Sequence, residues 1–322
     1  MKRILATLAI LLCLPGLAWA QSKQLRVALV LPGPVTDGTF CSAANDGIKK
    51  AQQKYNIQVS IRENTTFADS EQALTAYAKD GYDVVIGHGF QFAEPAVKIH
   101  KQYPKTWFIV NTAKVSGAPN LASFDNRWGD AGYVAGAVAA LVTKKGTIGH
   151  IGGIPVPVIE EYNEGFASGA KRMKPDIKVL SAYVGSFSDV TKGKEITTSM
   201  IERGADVVTA TGNESVMGTI QAAKEAKVMA IGTAFDSAGL APDTIVTTAL
   251  VRMDNNIDQA LSKIIDGTIK PQNYLLGFSE DGLGLAGYGT FASKISAADQ
   301  KKISDLVADI KAGKVKDLPK IR

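Results

Sequence analysis

The chain has 322 residues, 45% of them hydrophobic and 21% charged, with a formal charge of +5 and two cysteines. That length can bury large cores in two domains, so a small disulfide-stapled scaffold is excluded. The positive excess is mild and scattered, without a dense Lys/Arg cluster, so nucleic acid is not an expected partner.

Residues 1–20 are expected to be a cleavable signal peptide. Lys2 and Arg3 precede the apolar run "ILATLAILLCLPGLA", and Ala18-Trp19-Ala20 fits a small-residue cleavage site. The run is too short for a transmembrane helix. Cys13 raises a lipoprotein alternative, but Leu12 fits poorly before a lipidated cysteine. Loss of Lys2 and Arg3 with the leader would take the charge from +5 to +3 and leave Cys41 as the lone cysteine. The expected location is the periplasm.

Apolar, β-branched runs then alternate with helical patterns. Strands are predicted at 25–31, 57–61, 82–87 and 107–111, and helices at 41–55, 69–80 and 93–102. The rhythm restarts with strands at 146–153, 177–184, 205–211, 228–234 and 244–251, and helices at 158–173, 190–203 and 214–226. Alternation of this kind predicts parallel sheets with right-handed crossovers. "DVVIGHGF" (83–90) and "DVVTATGN" (206–213) fall at equivalent places in the two series. The expected fold is therefore α/β, with two doubly wound lobes and a ligand cleft where their strand ends meet.

Catalytic equipment is sparse. The chain has no G-x-S-x-G elbow, no phosphate-binding P-loop and no H-x-x-x-H spacing. Of three dispersed histidines, His100 reads as solvated, His150 as core, and His88 as the one placed to touch a ligand. Cys41 at a helix start has no base beside it in the sequence, so a half-buried small residue is the plainer reading. No metal and no cofactor are expected.

Aromatics and carboxylates instead gather on the loops past strand ends. Phe40, Phe90, Trp128 and Phe187 could stack on a flat ligand, while Asp37, Asp125 and Asp236 could accept hydrogen bonds from it. Asn213, which ends the second "DVV" segment on the opposite lobe, and Cys41 are also expected among the ligand contacts. The plainer alternatives are a helix N-cap for Asp125 and an Asx-turn for Asp236.

Several segments together resemble the basic membrane protein family, exported substrate-binding proteins of ABC importers whose best understood members are purine nucleoside receptors. They are "GPVTDGTFCSAANDG" (33–47), "GHGFQFAEP" (87–95), "FDNRWGDAGYVAGAVAALVTKKGTIGHIGG" (124–153), "GSFSDVTKGKE" (185–195) and "LAPDTIVTTALVRMD" (240–254). The resemblance implies a two-lobed fold of the type I periplasmic binding protein kind. Phe40 then takes the place of a purine-stacking aromatic, and Asp125 that of an Asp pairing with the base edge. Phe187 falls on the opposite side, and Asp236 matches a carboxylate that holds ribose hydroxyls. Two departures stand out: Cys41 replaces the usual Asn, and Ser279 stands where relatives carry a Lys. If that Lys helps hold a sugar in the nucleoside binders, the second makes a free base such as adenine, or another flat ring, a serious candidate beside a nucleoside.

The domain expectation is a first lobe of 21–126 plus about 252–270, a second of 127–251 plus about 271–292, and a helical tail over 293–322. The chain would cross between lobes near 124–128, 249–253 and 268–274. The functional expectation is a monomeric binder of a purine base or nucleoside that closes on its ligand and docks on an inner-membrane ABC permease, with no catalysis. Alternatives are a flavin or sugar ligand, or a nucleoside-processing enzyme.

Overall fold

The computed structural model describes residues 24–320. The leader reading falls on residues outside that range. The first series of elements is β1 (Leu25–Val30), α1 (Phe40–Lys54), β2 (Ile57–Arg62), α2 (Ser70–Lys79), β3 (Val84–His88), α3 (Ala93–Ile99), β4 (Trp107–Asn111) and β5 (Leu121–Asn126). The second is α4 (Trp128–Val142), β6 (Thr147–Gly152), α5 (Pro157–Met173), β7 (Lys178–Tyr183), α6 (Val190–Glu202), β8 (Val207–Thr211), α7 (Ser215–Ala226), β9 (Met229–Ala234) and β10 (Ile245–Val251). The chain then revisits both lobes through α8 (Met253–Ile265), β11 (Asn273–Leu276), β12 (Leu283–Leu285) and α9 (Ala297–Lys311).

Two six-stranded sheets result, ordered β11-β5-β4-β3-β1-β2 and β12-β10-β9-β8-β6-β7. Each strand order reverses direction at the same place, the point where an open α/β sheet opens a ligand crevice. The strands are apolar on both faces because helices cover both faces. In β1, Val27 and Leu29 pack into one core cluster of the first lobe while Ala28 and Val30 pack into the other. Val207 and Val208 divide the same way in the second lobe.

The helical patterns hold within a residue or two, except that 93–102 forms a helix only to Ile99 and ends in a 3₁₀ turn. β5 is not expected from the sequence pattern, because "LASFDN" mixes polar and apolar residues although all six are buried. Burial here comes from neighbouring strands and α8, which no local pattern announces.

The chain crosses between the sheets at 126–128, 251–253 and 276–283. The third crossing lies later than the expected 268–274, because β11 pairs with β5 and keeps residues 273–276 in the first sheet. A four-residue edge strand leaves little apolar pattern to read. The segment expected as a separate tail instead packs onto the second lobe, whose core includes Ile303, Leu306, Ile310 and Val315.

Buried amides tie the crossings together. Asn126 Nδ2 donates to the Gly282 carbonyl at 2.8 Å, and Asn256 Nδ2 donates to Asn126 Oδ1 at 2.7 Å. Asn256 Nδ2 also reaches Asn111 Oδ1 at 2.8 Å. The amides therefore join the first crossing, the third crossing, and α8, which follows the second.

Candidate functional site: the cleft between the lobes

The loops past the strand ends of both sheets enclose a cavity of about 380 Å³, in the range of small-molecule sites, about 300–1,000 Å³. The first lobe contributes Thr39, Phe40, Thr65, Phe67 and Phe90. The second contributes Phe187, Thr211, Asn213, Glu214, Thr233 and Phe235. Trp128, just past the first crossing, lines it as well.

Local chemistry explains how Phe40 comes to stand there. Gly38 has φ +66°, which a glycine adopts without strain and which turns the loop into α1. Asp37 folds back under the turn, accepting from the backbone N–H groups of Thr39 at 2.8 Å, Cys41 at 2.8 Å and Ser42 at 2.9 Å. Burial pushes its carboxyl up, but these donors and the Ser42 hydroxyl outweigh that and hold it below the usual range. With its carboxylate engaged this way, Asp37 supports the loop and does not line the cleft.

Phe40 is braced from behind. Its ring stacks on His88, centroids 3.9 Å apart and planes 30° apart. Asn111 Nδ2 donates to His88 Nδ1 at 3.0 Å, so His88 Nε2–H is the donor to the Phe40 carbonyl, also at 3.0 Å. Burial depresses His88 to about 4, keeping it neutral. His88 ends β3 beneath Phe40 and does not line the cavity, contrary to its reading as a ligand contact. Through Asn111 and Asn256, the brace continues to the amides at the crossings.

The other aromatics approach one another across the opening. Phe90 lies 6.3 Å from Phe187 of the opposite lobe and 5.5 Å from Phe67, edge to face. Phe187 seats against Gly153, where a Cβ would overlap its ring. Beneath the second wall, Tyr162 Oη lies 3.0 Å from Thr233 Oγ1, and His150 Nε2 lies 2.8 Å from Thr211 Oγ1. His150 is a buried core residue, depressed by burial to about 3.

The structure thus brings Phe40, Phe90, Trp128, Phe187 and Asn213 to the cavity and leaves the other candidates elsewhere. Cys41 is fully buried in the first lobe's core, where burial pushes its thiol well above the usual range. Asp125 is also fully buried. Its Oδ1 accepts from Asn126 N at 2.8 Å and Trp128 Nε1 at 3.2 Å, while Oδ2 has no partner among the described residues. Burial raises it to about 6. Asp125 orients Trp128 and is not the cap of α4, whose N-cap is Arg127. Asp236 is exposed and accepts from Ala238 N at 3.1 Å, which is the Asx-turn arrangement. His100 is buried, not solvated, with Nδ1 3.1 Å from Asn120 Oδ1.

Sequence reasoning missed Phe67, Phe235 and Glu214, the one charged residue of the lining among the described residues. "TGNES" after a strand does carry a signal for Glu214, since it puts a carboxylate at a helix start facing the strand-end rim. Two lining hydroxyls, Thr39 Oγ1 and Thr65 Oγ1, are buried without a partner among the described residues. Such groups ordinarily find one, so a bound molecule or water is their natural complement. Among the described residues, no three His, Cys, Asp or Glu gather as a metal ion would need, and no helix is long and apolar enough to cross a membrane.

Comparisons with known proteins agree with this architecture. Basic membrane protein A1 of Borrelia garinii is 28% identical over 291 residues, covering 89% of this chain and 83% of its own. A purine-binding protein of Brucella abortus is 28% identical over 306 residues, covering 94% of this chain and 85% of its own. Among solved structures, an ABC transporter solute-binding protein from Aeropyrum pernix superposes with a TM-score of 0.81 at 22% identity, covering 91% of this chain and 92% of its own. The fold is that of the type I periplasmic binding proteins. The model of ABC transporter substrate-binding proteins of the PnrA-like kind matches residues 24–317, and the chain belongs to that family.

Proposed function

We propose that this protein captures a purine base or nucleoside between its lobes in the periplasm, as a monomer, and delivers the closed form to an inner-membrane ABC permease without covalent chemistry. The observation that carries the reading is Phe40, stacked on neutral His88 by one face and lining the cavity, opposite a wall that includes Phe187 and Phe235. Flat heterocycles are held by such aromatic faces, and the wall hydroxyls and amides supply directional polar contacts. The purine-binding relative from Brucella abortus supports the same ligand class. Closure follows from ligand contacts made with both walls only when the lobes are together.

Calorimetric titration of ligand-stripped protein with adenine, adenosine, guanosine and riboflavin tests the reading. A purine is expected to bind, and Phe40→Ala to weaken it by about 1–3 kcal/mol, the scale of base–aromatic stacking. Riboflavin binding without any purine binding overturns the ligand class. A Phe40→Ala variant that binds purines as tightly as the parent overturns the stacking.

A further inference from the structure

Glu214 is the lone charged side chain lining the cavity among the described residues. It is partly buried just before α7, and its side chain caps no helix N–H and forms no ion pair among the described residues. The α7 dipole favours a carboxylate there, yet the side chain caps none of the helix N–H groups. The other carboxylates expected at the site are already engaged, Asp37 under its loop, Asp125 on Trp128 and Asp236 in its turn.

The helix starts around the cleft point the same way. A helix N-terminus is ordinarily an anion site, through free N–H groups and the positive dipole end. Here α1 has its first-turn N–H groups taken by Asp37, and α6 has Lys192 N taken by Asp189 at 2.9 Å. The start of α5 is Pro157, which has no N–H. Glu214 occupies the start of α7. No Lys, Arg or His among the described residues lines the cavity to offset a phosphate. Opposite, the orphan hydroxyls of Thr39 and Thr65 offer neutral partners to the ligand's other end.

We propose that Glu214 sets ligand specificity: it accepts hydrogen bonds from two adjacent donors on an uncharged ligand, and the cleft as a whole turns away phosphorylated forms. The inference rests on the purine reading. In that class, paired donors come from the 2′,3′-diol of a ribose or from the N1–H and amino group of guanine.

The test titrates ligand-stripped wild type and Glu214→Gln with adenine, adenosine, guanosine and adenosine 5′-monophosphate, beside ligand-free melting curves. Wild type is expected to prefer adenosine over its monophosphate by about 100-fold or more. Glu214→Gln is expected to lose about 10- to 100-fold on the donor-bearing ligand, the scale of a charge-assisted hydrogen bond, while binding the monophosphate as well as before or better. Loss on adenosine but not adenine assigns the ribose as the donor source, and loss confined to guanosine assigns the base edge. Equal loss on all four ligands, or wild type binding the monophosphate as tightly as adenosine, overturns the proposal. Purine binding unchanged by Glu214→Gln defeats this inference alone, whereas a wild type that binds none of the four defeats the purine reading and this inference with it. Thr65→Val, which removes an orphan hydroxyl at nearly constant volume, is expected to lower affinity with an unchanged melting curve. No loss of affinity would remove the hydroxyl's part in the proposal.

Discussion

The two lobes share one strand order but build opposite walls. Both "DVV" strands end at the cleft, yet the first continues into His88 and Phe90 and the second into Thr211, Asn213 and Glu214. One wall is dominated by ring faces held from behind by a neutral histidine. The other holds hydroxyls, an amide and a carboxylate, with Phe187 and Phe235 among them. A repeated topology has thus been divided into a face rich in aromatic rings and a face richer in hydroxyl, amide and carboxylate groups. The sheets also differ at one edge. β11 runs parallel to β5, but β12 runs antiparallel to β10. The third crossing imposes this, because the chain leaves one lobe toward the cleft and enters the other from it.

Helix packing supplies the sharpest way to break the comparison. In the second lobe, α4 and α5 meet through Gly132, Gly136, Gly165 and Gly169, and a methyl at Gly136 would overlap the Phe166 carbonyl oxygen. In the first lobe, Gly47 of α1 faces Asp254 of α8, where a Cβ would lie 2.7 Å from Asp254 Cα. Alanine is otherwise the better helix former. Gly136→Ala is therefore expected to destabilise by about 3 kcal/mol, the upper range of overpacking, and Gly47→Ala by less. Melting curves that show Gly47→Ala as the more damaging would refute that ordering.

The second wall's buried histidine, His150, meets a lining hydroxyl, Thr211 Oγ1, whereas His88 stacks on a lining ring, and removal of His88 tests what holds the first wall. His88→Leu leaves Asn111 Nδ2 and the Phe40 carbonyl without their shared partner, an expected loss of about 2 kcal/mol. Its pH dependence is directional. The folded value of about 4 lies below the ordinary one, so the neutral ring's contribution is fully present above about pH 6.5 and is lost as pH falls toward 4. The variant should therefore show a flatter melting profile over that window. An unchanged acid slope would show that His88 is not the group responsible.

Asp125, where the first lobe gives way to the second, carries the opposite sign. Its folded value, raised by burial to about 6, lies above the ordinary carboxyl range, with Lys114 lowering it and Glu161 raising it. Its contribution is present below about pH 4 and is lost as pH rises through 6. Asp125→Asn is expected to be about 1–2 kcal/mol more stable than the parent at pH 7, with the advantage fading by pH 4. A gap constant across that range would show that the carboxylate is not strained by burial.

The smallest effect is expected at Asp236 on the second wall's rim. Asp236→Asn keeps the Asx-turn and should change stability by less than about 0.5 kcal/mol. It should also leave purine affinity within error in the same titrations. A tenfold loss of affinity would instead place Asp236 on the ligand and weaken the role given to Glu214.

Much of the fold was legible in the chain order of residues. Alternating apolar strands and amphipathic helices specify a doubly wound lobe, because each element's period dictates which faces it must bury. The repeated "DVV" segments specified two of them. Rim aromatics such as Phe40 and Phe187 were legible too, since a large ring beside Gly and Pro is out of place in an ordinary turn. Carboxylates were less readable. Asp37, Asp125 and Asp236 look alike as letters, and only tertiary contacts decide that one braces a loop, one orients a tryptophan and one closes a turn. The same holds for the late third crossing and for β5, where long-range pairing determines burial. Sequence by itself determined the elements and their alternation, because local periodicity carries that information. Which polar groups remain free for a ligand was decided by tertiary structure, because a hydrogen bond is satisfied by whatever folding brings within about 3 Å.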